Sequence, residues 1–121
     1  TPVYSDYVYI SGKTKPTEVE NLKIGGQAYN ALRLNWNKND TAQGYIIEQK
    51  INGSWQRIAR IADKDVLTYR VKNLKPLTTY EFRMQGFNFY NNMPLYSDYS
   101  NVLGKTLNFD ASQEEWELPI I

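Results

Sequence analysis

The stretch TYRVKNLKPLTTYEFRMQGFN spans residues 68–88 and decides how the chain is read. Its first part, with Leu67 ahead of it, sets Leu67, Tyr69 and Val71 against Thr68, Arg70 and Lys72. Its second part sets Tyr80, Phe82 and Met84 against Glu81, Arg83 and Gln85. Alternation with a period of two puts one set of side chains on each face of a β-strand. Between the two runs lies NLKPLT, with Asn73 and Pro76 as turn residues. Two strands and a tight connection are therefore expected here.

Working outward, the same period recurs. ALRLNW at 31–36 places Leu32, Leu34 and Trp36 on one face and Arg33 and Asn35 on the other. GYIIEQKI at 44–51 and SWQRIARIA at 54–62 flank Asn52-Gly53. Asn-Gly suits a type I′ turn, whose two central residues need positive φ, so 44–62 reads as a hairpin. VENLKIGG at 19–26 reads as a first strand and SNVLGKTL at 100–107 as a last one, with NFYNNMPL as a loop before it. Seven short strands fall between 19 and 107, with turn signals about every ten residues, the spacing of a β-sandwich. No segment of this block has a helical period.

Composition agrees. Ten tyrosines, four phenylalanines and three tryptophans bring the aromatic share to 14%. Such side chains suit a pleated, half-buried surface. At 121 residues the chain is one domain's worth, long enough to bury a core without staples. A net charge of +1 with no run of like charges argues against a nucleic-acid partner. No apolar run approaches the 18 residues of a membrane span, so no membrane insertion is expected. Disulfides and thiolate chemistry are excluded, because cysteine is absent. Histidine is absent too, which removes the commonest general base and metal ligand. Asp63 with Asp65 and Glu114 with Glu115 are the remaining carboxylate pairs. Paired carboxylates catalyse when held across a cleft, and adjacent turn residues on a filled sandwich offer none. Asn37, Asn39 and Asp40 read as turn chemistry rather than calcium ligands. No catalytic residue, metal or cofactor is expected.

The residues of this block resemble a fibronectin type III domain. The resemblance covers roughly residues 16–107: KPTEVENLKI ahead of the first strand, the tryptophan of LRLNW, GYIIEQK, and above all the opening stretch. In that family a leucine, a proline, a threonine and a tyrosine mark the corner before the sixth strand; here they are Leu74, Pro76, Thr78 and Tyr80. The resemblance implies an all-β, seven-stranded, immunoglobulin-like sandwich of two antiparallel sheets. Trp36, Tyr45, Leu74, Pro76, Tyr80 and Phe82 are then structural, with the Tyr80 hydroxyl bonded back to upstream backbone. The combination of Ala42, Gly44 and Tyr45 with Trp55, Ile58 and Ala59 and with YSDYSN looks most like repeats of secreted or surface-attached bacterial proteins. Gln49-Lys50 and Gly86 depart from the usual pattern, since many relatives carry a tyrosine-type residue on the third strand and alanine at the second position.

One segment occurs twice. PVYSDYVYISGKTKP at 2–16 matches PLYSDYSNVLGKTLN at 94–108 at eight of fifteen positions, with a spacing of 92 residues. That is about one domain of this type. Residues 1–15 therefore read as the last strand of a preceding repeat or an N-terminal extension. They are also a candidate for strand-mediated self-association. Residues 108–121 read as a tail or linker. Ser112–Glu115 forms a capping-box pattern for a short helix, and a strand docked on the sandwich is the alternative.

The expected function is a non-catalytic spacer or interaction module of an extracellular or cell-surface protein, meeting neighbouring domains and protein or polysaccharide partners. The alternative is an accessory module of a carbohydrate-active enzyme. Contact candidates are Phe89, Tyr90, Asn91 and Asn92 in the loop ahead of the seventh strand, which this family uses for recognition, and Trp55 as an aromatic platform.

Overall fold

The computed structural model describes residues 15–108 and the backbone of Glu115 and Trp116. The first YSDY copy at 4–7 and the capping-box residues Ser112, Gln113 and Glu114 lie outside the described residues. Among the described residues nine strands run in chain order: β1 (Lys23–Gln27), β2 (Leu32–Asn35), β3 (Gly44–Ile51), β4 (Ser54–Ile61), β5 (Thr68–Val71), β6 (Thr79–Tyr90), β7 (Met93–Tyr96), β8 (Ser100–Lys105) and β9 (Glu115–Trp116). One antiparallel sheet has the order β5-β2-β1-β9. The other is β4-β3-β6, with β7 and β8 both paired to the far side of β6.

The alternating residues form the core between the sheets. Leu32, Leu34 and Trp36 from the first sheet meet Tyr45, Ile47, Phe82 and Met84 from the second, all fully buried. Trp36 and Tyr45 pack edge to face at 5.5 Å between centroids. Asn52 and Gly53 take φ of 52° and 82°, so the β3–β4 turn is the expected type. Asn35 departs from its solvent-side assignment. It is buried, and its Oδ1 accepts from Thr68 Oγ1 at 2.8 Å on the neighbouring strand.

Three sequence expectations need correction. The first strand begins at Lys23 rather than Val19, because Asn21 adopts a left-handed φ of 57° that interrupts an extended run. NFYNNMPL is not a loop. Asn91 and Asn92 have φ of 50° and 63° and close a two-residue hairpin between β6 and β7. The last strand expected at 100–107 is β8, and β7 is an additional strand ahead of it, out of step with β8 along β6. Phe87 faces Tyr96 while Met84 faces Ser100, so one extra residue is accommodated across Ser97–Tyr99. In the tail, the backbone of Glu115–Trp116 is extended and pairs with Gln27 and Gly26 of β1, which takes those two residues out of any helix.

The YSDY segment acquires a physical meaning at that bulge. Ser97 is buried, its N–H donates to the Gly86 carbonyl at 3.0 Å, and its Oγ accepts from Gly86 N–H at 2.8 Å. The hydroxyl thus serves a β6 amide that the bulge would leave without a ladder partner. Two further residues of the repeated segment are equally constrained. A Cβ on Gly104 would lie 2.7 Å from Ile24 Cδ1 and 3.1 Å from Leu32 Cδ1. Thr106 is buried, accepts from Thr78 N–H at 3.0 Å and donates to the Lys75 carbonyl at 2.5 Å.

Candidate functional site

The two ends of the sandwich are organised differently. At one end the Leu74–Tyr80 corner closes as expected: Lys75 N–H donates to the Tyr80 hydroxyl at 2.8 Å. Leu77 holds a left-handed φ of 51°, and its N–H reaches the Leu107 carbonyl at 3.0 Å. Together with Thr106, these bonds tie the corner to the end of β8.

At the other end a second tyrosine does comparable work. The Tyr45 hydroxyl donates to the Lys64 carbonyl at 2.7 Å and accepts from Asn39 N–H at 3.0 Å, joining the loops on either side of β3 and β4. Burial pushes the Tyr45 phenol above its ordinary pKa. Asn39 is itself buried; its Oδ1 accepts from Thr41 N–H at 3.0 Å and its Nδ2 donates to the Thr17 carbonyl at 2.7 Å. Asp63 Oδ1 accepts from Asp65 N–H at 2.9 Å. These Asn and Asp side chains organise turns. Lys38 pairs with Asp65 at 2.8 Å on the exposed rim. The hydrogen bond and charge of Lys38 hold the Asp65 carboxyl below its usual range, and Asp65 raises Lys38 in return.

The β6–β7 hairpin projects from this second end. Asn88 Nδ2 donates to the Thr41 carbonyl at 2.7 Å, and Phe89 N–H donates to Gln43 Oε1 at 3.2 Å, which anchors the hairpin to the 37–43 loop. The chain approaches beside it. Pro16 is buried at Gly86, where an added Cβ would lie 3.0 Å from Ala42 Cβ and 3.6 Å from Pro16 Cγ. That close approach accounts for glycine at a position where alanine is common. Lys15 Nζ pairs with Asp98 in the bulge at 3.1 Å. The hairpin's side chains are unusually apolar for a tip: Phe89 is 44% exposed, Tyr90 38% and Met93 64%.

Trp55 is elsewhere. It faces Lys50 on β3, whose Nζ lies 3.9 Å from Glu81 near the start of β6. Glu81 and Phe89 are eight residues apart on one strand, about 27 Å along the sheet. The sequence-derived contact residues therefore form two places: Phe89, Tyr90, Asn91 and Asn92 at the hairpin, and Trp55 on the sheet face near the other end. Nor is Trp55 an open platform. The Arg83 guanidinium lies 4.4 Å from its ring centroid and 3.8 Å from that of Tyr99, while Arg83 Nε donates to Glu48 Oε1 at 2.6 Å. Cation–π contact on both sides and a charge-assisted bond fix this stack. The stack depends on register: a bulge in β4 opposite Ile47 and Glu48 and another at Ser97–Tyr99 align the two rings with the Arg83 guanidinium. Neither bulge has a spacing that period-two reading detects.

Comparison with known proteins decides the architecture. The chain aligns with the crystal structure of FN3tt at a TM-score of 0.63 and 24% identity, over 80% of this chain and 99% of that one. The fold is that of a fibronectin type III domain. Human fibronectin type III domain containing protein 3 supplies a second such domain, similar at a TM-score of 0.60 and 23% identity, over 83% and 94% of the two chains. The FN1–FN3 domains of chicken CNTN1 align at 0.63 and 18%, over 88% of this chain and 34% of that one. No protein-family model and no curated protein matches the sequence. Within this fold Trp36 is buried in the core and the Tyr80 hydroxyl accepts from upstream backbone, whereas the loop expected ahead of the last strand is the β6–β7 hairpin. Among the described residues, no helix is long and apolar enough to cross a membrane, and no group of three or more acidic side chains is placed to hold a metal ion.

Proposed function

We propose that this domain is a non-catalytic spacer and interaction module, one repeat of a tandem array in an extracellular or cell-surface protein of bacterial type. The observation that carries the reading is the repeated segment. Its identities include the residues with the strictest duties in β7–β8: Ser97 matched by Ser5, Gly104 by Gly12 and Thr106 by Thr14. Generic strand ends share tyrosines and lysines; they do not share a bulge serine, a glycine under core side chains and a buried corner threonine at the same spacing. Residues 2–14 accordingly carry what is needed to finish another sandwich of this kind. The spacing of 92 residues fits one repeat.

Limited proteolysis of the parent polypeptide tests this. An array yields resistant fragments rising in steps near 92 residues. One resistant unit flanked by digestible chain overturns it. Labelling of intact cells with an antibody to the domain tests the surface setting; signal appearing only after lysis counts against it. The same strand competence acting between molecules gives self-association through residues 1–15 at high concentration. Sedimentation of the chain with and without residues 1–14 measures it, and identical monomers refute it.

The accessory reading, in which the domain touches polysaccharide, is less well supported, because Arg83 occupies the Trp55 and Tyr99 rings and the hairpin aromatics stand far from them. Retention on insoluble glycans that is lost in Trp55→Ala and Tyr90→Ala would restore it.

A further inference from the structure

Where the edge strands of two sheets are not joined, side chains alone close the flank of a sandwich. Here β4 and β5 are such edges, and a cleft of about 570 Å³ opens between them. Small-molecule pockets occupy roughly 300–1,000 Å³. The floor of the cleft comes from inward-facing positions. Gln49 continues the series of Tyr45 and Ile47 along β3, and Tyr69 and Val71 face it from β5. Ile58 joins them because it is the extra residue of the β4 bulge: Ala59 faces Ile47 and Arg57 faces Glu48.

Gln49 is out of character for this floor. It is only 8% exposed, in a series that otherwise builds the core. Its amide bonds to no other described residue, and neither does the Tyr69 hydroxyl across the cleft. A nearly buried amide without a protein partner is destabilising, and an apolar side chain here would have completed the core. Gln49 is also the residue that departs from the tyrosine-type pattern of the third strand, and its shorter side chain leaves the flank open.

The lip of the cleft is cationic. Arg70 and Lys72 alternate away from Tyr69 and Val71. With Asn73 they also line a second hollow of about 300 Å³ beside Asn30 and Ala31, so the two hollows meet at this lip. Lys72 is exposed and forms no ion pair with another described residue. Among the described residues, no carboxylate lines either hollow.

These groups specify a ligand. An amide offers donor and acceptor together, the complement of a hydroxyl group. The Tyr69 ring and Ile58 offer apolar surface to the C–H face of a sugar ring. Lys72 offers a carboxylate its charge-assisted bond. We propose that the β4–β5 cleft binds the ring of a uronic acid, with sugar hydroxyls on Gln49 and the carboxylate at Lys72. A neutral sugar would leave the charge of the lip unused, and a bare carboxylate would leave Gln49 without a partner. The site lies within the single domain and needs no neighbouring repeat. It is also separate from Trp55, which Arg83 holds on the opposite face of the β4–β3–β6 sheet.

NMR titration of the nitrogen-15-labelled full chain tests this, with D-glucuronate and D-galacturonate as probes and D-glucose and acetate as controls. The expected result is saturable movement of the Gln49 side-chain amide and of the backbone amides of 69–73 with at least one uronate. Its midpoint should lie about tenfold or more below that of either control. Lys72→Gln and Gln49→Leu should each weaken binding about tenfold, the scale of one lost polar contact. Lys72 is exposed, so its variant tests the site even where Gln49→Leu disturbs the fold. A uronate trimer then separates the sources: binding about tenfold tighter than the monomer assigns the site to an acidic polysaccharide, and equal binding assigns it to the free sugar acid. No saturable movement at about 10 mM uronate overturns the proposal. So does an equal response to glucose or acetate, movement centred on Trp55 or the β6–β7 hairpin, or affinity unchanged in Lys72→Gln.

Discussion

Tyr80 and Tyr45 occupy opposite ends of the same sheet and perform the same act, a phenol from the core reaching out to hold backbone. Tyr80 faces Gly104 and Tyr45 faces Gly86; the β6 members of these two pairs, Tyr80 and Gly86, are six residues apart, about 20 Å. Around Tyr80 the polar groups are answered from within: Thr106 serves both Thr78 and Lys75, and Leu77 bonds to Leu107. Around Tyr45 the loops are tied together just as firmly, yet beside them stands a hairpin that presents Phe89 and Met93 to solvent. One end is finished. The other is rigid but has surface left over. Rigidity of a loop is therefore no sign that its side chains are spent; the backbone can be fixed so that the side chains are available.

The sharpest way to break this contrast is at Thr106. Thr106→Val keeps the shape but leaves Thr78 N–H and the Lys75 carbonyl without their partner. The expected loss is about 2–3 kcal/mol of unfolding free energy. Denaturant titration measures it, and a change within error would show that water replaces the hydroxyl and that this end is not closed. Tyr80→Phe removes only the acceptor for Lys75 N–H and should cost about 1–2 kcal/mol by the same measurement.

Tyr45 sharpens the contrast through pH. Its folded pKa is raised by burial, so the unfolded phenol ionises first as pH rises. Stability from this group is complete below the ordinary value of 10.0 and falls as pH climbs from there through the folded pKa. Lys38, also raised, acts in the same alkaline direction above 10.5. Absorbance titration should show a tyrosine component ionising above the ordinary range, and that component should be missing in Tyr45→Phe. Its appearance at ordinary pKa in the folded protein would place Tyr45 in a wetter site than its burial indicates. The smallest effect belongs to the hairpin: Met93→Ser should change the stability of the single domain by less than about 0.5 kcal/mol. A larger loss in thermal unfolding would mean that the hairpin's apolar surface serves this domain's own fold.

How much of this the sequence carried depends on distance along the chain. The core was legible because Leu32, Leu34 and Trp36, or Tyr80, Phe82 and Met84, sit two apart and declare a shared face. The corner was legible because its residues are packed into Leu74–Tyr80. The β6–β7 hairpin was misread because Asn91-Asn92 lacks the glycine that marked Asn52-Gly53, and because Pro94 within a run argues against a strand. β7 tolerates that proline because it lies at the sheet margin. The Trp55–Arg83–Tyr99 stack was invisible for another reason. Its members come from β4, β6 and the bulge between β7 and β8, brought level only by two bulges, so no spacing announces it. The contact candidates were chosen as aromatic residues in plausible places, and their separation into two ends is likewise a matter of register.

The extra residue at Ser97 has a consequence beyond satisfying one amide. The outer margin of a sheet is a row of open hydrogen-bonding groups, and a long straight one invites a foreign strand to continue it. Here that margin is cut into four residues of β7 and six of β8, offset by the bulge, and one of the four is a proline with no N–H to offer. Neither length is a good template. A single serine, by spoiling the straightness of one margin, denies a foreign strand a long template on that side of the sheet.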